Sequence, residues 1–394
     1  MTCCVDYVHS QVAKELETLA RVNRMQVRNL KVRHLRDVVG VPFLGYAGLY
    51  ENEKAIDYSY FNLQAACQQH FSTKNLQGVG EMTESVFFLG KINVCWGHCI
   101  TDHLKFLWPF LELEKYPYLR DCKIVYSTLS RDDKLPKNYL EILRLFNIDE
   151  SRLVRLDRVT RLHDCYLADE CFGAQGEERW FSPEYRSVIN YIGQQCVNED
   201  CAEPSGRNIY LSRRAWRGGW VKGEFGEQYV ENAFRASGFE VVHPEKTSFC
   251  ELVRKLQSAK EVATTECSSS HNALFMSPGS KLILLRKMER INPYQLAINQ
   301  VSDINTVYVD IWRSVGYCNP KSILRGPFFM YVSRHLAACL GVKSHFPVFE
   351  FFKYIGYLYY SKCYQVLFDL AYVSYKAIVV RWLGITRWEK GRVV

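Results

Sequence analysis

Between Gly206 and Leu285 three short apolar runs recur at a spacing that constrains the fold. Asn208 to Leu211, Phe239 to Val242 and Leu282 to Leu285 are each β-branched or aromatic, and a helix-length segment of mixed polarity separates each from the next. That alternation predicts βαβ units and a parallel sheet. Sheets of this kind bind ligands at the carboxyl ends of their strands. Here those ends carry Ser212-Arg213-Arg214 and the run from Glu266 to Asn272. Guanidiniums suit phosphate oxygens because their N–H donors form a planar fork. The serine-rich run leads into a helix expected to start near Ser269 or Ser270, whose free backbone N–H groups attract anions. Side chains alternate along an extended chain, so one of Arg213 and Arg214 is expected in the crevice and the other in a structural ion pair.

The motifs in this stretch come in an order that resembles glycosyltransferase family 61. They are Ile-Tyr-Leu-Ser-Arg-Arg ending at Arg214, Gly-Phe-Glu-Val-Val ending at Val242, Ser248-Phe249, and His-Asn-Ala-Leu-Phe-Met-Ser-Pro-Gly-Ser from His271 to Ser280. Upstream, Trp96-Gly97-His98-Cys99-Ile100-Thr101-Asp102 resembles the Gly-His of the family's N-terminal signature, followed four residues later by Asp. The resemblance covers roughly residues 85 to 315. It implies an α/β, GT-B-like fold of two Rossmann-like domains facing a cleft, with the donor on the C-terminal domain and the acceptor on the N-terminal one. It also implies inversion at the anomeric carbon without a metal, and no cofactor beyond a nucleotide-sugar co-substrate, expected to be UDP-linked. The sequence departs from many family members at Glu266-Cys267-Ser268-Ser269-Ser270-His271-Asn272, where they read His-Gly-Ala-Gly-Leu-Thr-Asn. In that it looks more like the bacterial capsular and cell-surface polysaccharide branch. The loop from Ala215 to Glu224 also lacks the further arginines and the Asn-Glu often found there.

Two residues compete for the role of general base. Inverting transfer needs a group that takes the acceptor hydroxyl's proton, and a carboxylate or an imidazole on the acceptor domain can do so. Asp102 is the first candidate and His98 the second; on a helix expected from His98 to Leu113 the two share a face. On the donor side, Arg213 or Arg214 is expected to neutralise the departing diphosphate together with helix N-terminal amides, with Lys222 assisting. Glu266 is read either as a partner of ribose or sugar hydroxyls or as a carboxylate tying its own turn. Ser269 and Ser270 open the anion-binding turn, His271 faces the phosphate or the sugar, and Asn272 holds either ligand or loop backbone.

At 394 residues the chain accommodates two or three domains. The expected division is an N-terminal acceptor domain over 1–197, a linker over 198–206 made of polar and turn-forming residues, a nucleotide-sugar domain over 207–325, and a helical tail over 326–394. Helices are expected at Ser10 to Val22, Asn138 to Phe146, Pro183 to Cys196 and Pro293 to Gln300, and strands at Glu84 to Leu89, Lys123 to Ser127, Arg152 to Leu156, Cys165 to Ala168 and Thr306 to Ile311.

Charge is concentrated at the C-terminal end. After residue 324 ten Lys and Arg stand against three acidic residues, which accounts for seven of the net charge of +8. Neither a recognisable nucleic-acid-binding module nor readout residues accompany that charge, so nucleic acid is not an expected partner. From Phe346 to Trp388 the tail is crowded with Phe, Tyr and Trp, yet charged residues interrupt every run before it reaches spanning length. Such a segment suits a membrane surface, the alternative being a pair of helices packed on the N-terminal domain. The 15 cysteines have no repeating spacing and no Cys-x-x-Cys, so buried, reduced thiols are expected and no metal. The N-terminus has no apolar h-region. These features point to a cytoplasmic enzyme, peripheral on the inner face of the cell membrane, acting on a glycan or lipid-linked glycan. The rival is a non-catalytic scaffold of a polysaccharide assembly complex that keeps the fold.

Overall fold

In the computed structural model the described residues are 3–8, 10–22, 24–42, 48–56, 78–130, 132–175, 178–197, 206–215, 223–315 and 326–383. The fold is α/β and is built on two large sheets. The first has six strands, all parallel, in the order Cys3–Tyr7, Asn305–Asp310, Lys281–Arg286, Ala259–Thr265, Arg207–Leu211 and Glu240–Val242. Successive side chains of its strands enter opposite cores. Ile209, Leu211, Leu282 and Leu284 join one cluster, while Tyr210, Ile283 and Leu285 join the other. That burial on both faces explains why these strands read as unbroken apolar runs.

The second sheet has seven strands, in the order Lys54–Ala55, Gly48–Glu51, Val32–Val41, Thr160–Ala168, Gly80–Ile92, Lys123–Thr128 and Leu153–Arg155. Its last four strands are parallel and the others antiparallel. Phe87, Leu89 and Ile124 from this sheet belong to the same apolar cluster as Leu211 and Leu282 of the first, through helices Pro183–Cys196 and Phe249–Ser258. The two sheets therefore share a core.

Four expectations are corrected. The first strand, Cys3–Tyr7, does not stay with the N-terminal half: it pairs with Asn305–Asp310 at the edge of the parallel sheet. The helix expected from His98 to Leu113 is broken into an α turn (Trp96–His98), a π turn (Cys99–His103) and two 3₁₀ turns (Leu104–Phe106 and Trp108–Leu111). Pro109 has no N–H to continue an α ladder; the expected apolar face of Ile100, Leu104, Leu107 and Phe110 is nonetheless buried. Cys196 and Cys250 are disulfide-bonded rather than reduced, joining the end of one helix to the start of another.

The tail gives the fourth. It is one helix, Val348–Leu383, and not a pair, and its packing is against the C-terminal half rather than the N-terminal one. Tyr354 and Leu358 bury themselves on Phe329, with Phe225 and Phe351 around them. Phe225 and Phe329 are held side by side because Glu224–Phe225 and Phe328–Phe329 pair as a short parallel ribbon. Among the described residues no helix is long and apolar enough to cross a membrane. The expected linker lies outside the described residues except for Gly206, whose N–H donates to the Ser258 carbonyl.

Candidate active site

A cleft of about 570 Å³ opens where the carboxyl ends of the two sheets meet. One wall comes from the turn after Gly80–Ile92, with Asn93, Cys95 and Trp96, together with Lys137 and Asn138 at the start of the helix Lys137–Leu145. The other comes from the parallel sheet, with Arg213, Ser268, Ser269 and Asn272. The walls are tied together: the Trp96 indole Nε1 donates to Asn272 Oδ1 at 3.0 Å, and Asn272 Nδ2 donates to the Ser269 carbonyl at 2.9 Å.

The two arginines divide as alternation along the strand requires. Arg213 lines the cleft, its side chain only 10% exposed, and its Nη1 donates to Glu224 Oε1 at 3.0 Å. Arg214 turns away to Glu231, which also accepts from Ser212 Oγ. Lys222 lies outside the described residues.

The serine turn is a 3₁₀ run, Ser268–Phe275, starting one residue before the earlier of the two expected starts. Its members do different things. Ser269 reaches the cleft, and its hydroxyl meets Thr264 Oγ1 and the Cys267 thiol, each at 3.0 Å. Ser270 is fully buried and closes the turn, donating to the Cys267 carbonyl and meeting Gln295 Oε1 at 2.6 Å, so it is wall rather than ligand group. Glu266 is likewise buried, not part of the cleft lining, and ties its turn by accepting from the Asn292 N–H at 3.0 Å. Burial raises its carboxyl above the ordinary value, against the opposing charge of Arg286.

His98, Asp102 and His271 form a second cluster beside the cleft and do not line it. His98 Nδ1 and Asp102 Oδ2 are 2.6 Å apart, and Thr101 Oγ1 donates to Asp102 Oδ1 at 3.3 Å. Burial pushes the Asp102 carboxyl up, but the His98 hydrogen bond and the charges of Lys105 and His98 outweigh it, so its pKa is lowered and it is held ionised. The His98 side chain is 37% exposed against 17% for Asp102, so the imidazole is the member open to a substrate. His271 is 9% exposed, and its ring is held against the backbone of Gly97. Gly97 passes so close to it that a Cβ there would stand 3.0 Å from Nδ1. Burial pushes His271 down to about 4.

Several groups here escaped sequence reasoning. Lys287 follows the strand Lys281–Arg286 and pairs with Glu224 at 2.6 Å, placing a second cation beside Arg213. The signal was present, since a basic pair ends that apolar strand just as one ends Arg207–Leu211. Cys267 sits between these charges: burial raises its thiol, yet Arg213 and Lys287 bring it below its ordinary value. Glu227, whose carboxylate accepts from the Arg213 N–H at 2.8 Å, is raised to about 7 by burial. On the other side of Asp102, the buried pair Lys105–Glu170 at 2.7 Å had no visible signal, because its members are 65 residues apart. Among the described residues no group of three or more His, Cys, Asp or Glu gathers as a metal site.

With Trp96 on one wall of the cleft, Arg213 and Asn272 on the other, and His98, Asp102 and His271 clustered beside it, the family motifs form one structural unit. The family described as Glycosyltransferase 61 matches residues 96–283, the span that contains all of them. This segment belongs to glycosyltransferase family 61. The chain is accordingly a glycosyltransferase. No curated protein matches it. Among solved structures, one of a dodecameric iron-containing heptosyltransferase TibC in complex with ADP-D-beta-D-heptose is similar at 10% identity, covering 70% of this chain and 72% of that one with a TM-score of 0.26. At that score the likeness carries no argument about chemistry or fold.

Proposed function

We propose that this glycosyltransferase is an inverting enzyme of GT-B-like arrangement that moves a sugar from a nucleoside-diphosphate donor to a hydroxyl of a cell-surface polysaccharide or lipid-linked glycan. The observation that carries the reading is the cleft itself, with Arg213 and the serine turn on one wall and the Trp96 to Asp102 motif beside the other. Arg213, Lys287 and the first amides of Ser268–Phe275 are a positive set suited to a diphosphate, which supports departure of the leaving group without a metal. His98 takes the acceptor hydroxyl's proton as that oxygen bonds to the anomeric carbon; the bond to the diphosphate breaks, and its electron pair leaves with the phosphate. Asp102 orients the imidazole and stabilises the cation formed when it takes the proton, a reversal of the order expected from sequence, supported by its deeper burial and lowered pKa. A nucleotide-sugar donor supports a reaction on the cytosolic side, and the basic aromatic tail supports a peripheral position at the inner face of the membrane.

Calorimetric titration with nucleoside diphosphates, UDP first, tests the donor site. Arg213→Ala is expected to weaken binding by about 2 kcal/mol, the scale of a lost charge-assisted hydrogen bond, while Arg214→Ala leaves it nearly unchanged. Failure of every nucleoside diphosphate to bind the intact protein would remove the reading.

A further inference from the structure

A second cavity, of about 470 Å³, lies at the foot of the long helix and takes no part in the site described above. Its walls carry Arg313, Arg334, His335 and His345, with Trp312, Tyr331 and Phe346 as aromatic surface. Its single carboxylate, Asp310, is already engaged, accepting from Arg286 Nη1 at 2.8 Å and from the Trp312 indole at 3.2 Å. Arg313 stacks over the Phe346 ring at 5.5 Å, and among the described residues neither it nor Arg334 is ion-paired. Two guanidiniums facing a concave, aromatic-walled space without a carboxylate partner are a recognition site for an anion with apolar parts attached.

What adjoins the cavity narrows the ligand. Two residues after Phe346 the helix Val348–Leu383 begins, and its exposed residues include four large rings on one side: Phe349 is 81% exposed, Phe352 67%, Tyr359 69% and Tyr360 66%. At 1.5 Å per residue the helix runs about 54 Å, and the packing seen for it, at Tyr354 and Leu358, is close to its start. We propose that this cavity binds the phosphate of an anionic membrane lipid, with the aromatic side of the helix lying in the interface beside it. The proposal rests on the membrane-surface reading of the tail and adds to it a defined headgroup site.

Vesicle flotation of the full chain tests both, using phosphatidylcholine alone and phosphatidylcholine with phosphatidylglycerol. The intact protein is expected to float with the anionic vesicles only. Arg313→Ala/Arg334→Ala is expected to lower vesicle affinity about thirtyfold, two surface cations each worth about fivefold. Lys343→Ala/Lys362→Ala, which removes the same charge from exposed positions outside the cavity, is expected to lose distinctly less. Equal losses in the two double variants would overturn the headgroup site while leaving the membrane reading standing. Indifference of the intact chain to anionic vesicles would overturn both. Inorganic phosphate separates the remaining source: if it displaces the protein from vesicles at low millimolar concentration and constant ionic strength, the cavity is a site for free phosphate and the lipid assignment is wrong. Matching thermal melts of the variants with the parent establish that each is folded.

Discussion

His98 and Asp102 show how a pair of residues acquires roles that neither has alone. A carboxylate with both oxygens engaged and a lowered pKa is a poor base but a good orienter, whereas the partly exposed imidazole has a nitrogen on its far side. His98→Gln is expected to lower turnover by a hundredfold or more with donor affinity unchanged, and Asp102→Asn to lower it less. Steady-state kinetics of both variants decides; a larger loss in Asp102→Asn would return the proton transfer to the carboxylate. Two other histidines contribute to acid sensitivity, against the opposite effect of the raised Glu227 carboxyl. Burial holds His271 down to about 4 and His103 down to about 3, against an ordinary 6.5, and His103 Nε2 accepts from the Asn93 N–H at 3.1 Å. Because the folded pKa values are depressed, the unfolded chain takes up protons first. The stability these residues support is complete above about 6.5 and declines as pH falls toward 4. Thermal melts between pH 7 and pH 4.5 are expected to show that decline, and His103→Gln/His271→Gln to flatten it.

At the level of elements, the contact between the Trp96–His98 turn and the serine turn joins the two sheets at the site. Gly97 is what permits it: a Cβ there would stand 3.0 Å from His271 Nδ1 and 3.2 Å from Ser268 Oγ. Gly97→Ala is therefore expected to cost about 1–3 kcal/mol, the usual cost of overpacking, and to lower donor affinity because the cleft walls are displaced. Denaturant melts and nucleotide titration check it; a variant with parental stability and affinity would show that the turn yields freely. The same region explains why the helix expected after His98 does not form as one piece. The periodicity of Ile100, Leu104, Leu107 and Phe110 correctly marked a buried face, but Pro109 and the demands of packing at Cys99–His103 broke the backbone into π and 3₁₀ turns.

Across the whole molecule, the long helix couples to the site through the ribbon it packs on. Glu224, which holds both Arg213 and Lys287, is one residue from Phe225, and Phe225 packs against Tyr354 and Tyr357. Truncation before Phe346 would strip the cover from Phe225 and Phe329, so it is expected to reduce solubility and nucleotide affinity together. Truncation after Lys362 keeps Tyr354 and Leu358 in place and is expected to bind nucleotide normally, and to keep vesicle binding through the cavity and the rings before it, weakened by loss of the basic residues it removes. Comparing the two by calorimetry and flotation distinguishes a brace from an anchor; normal nucleotide affinity in the shorter protein would show that the helix is no part of the donor domain's core. As for what could be read from the chain alone, local chemistry determined a good deal: apolar runs placed the strands Arg207–Leu211 and Lys281–Arg286, Pro183 placed the start of its helix, and strand alternation divided Arg213 from Arg214. Each depends on neighbours within a few residues. Tertiary structure alone decided that Cys3–Tyr7 crosses to the parallel sheet, that Cys196 meets Cys250, that Ser270 and Glu266 are wall rather than ligand groups, and that the tail packs on the C-terminal half. Those outcomes depend on which surfaces meet across long stretches of chain, and an edge strand or a buried polar group carries the same local pattern whichever partner it finds.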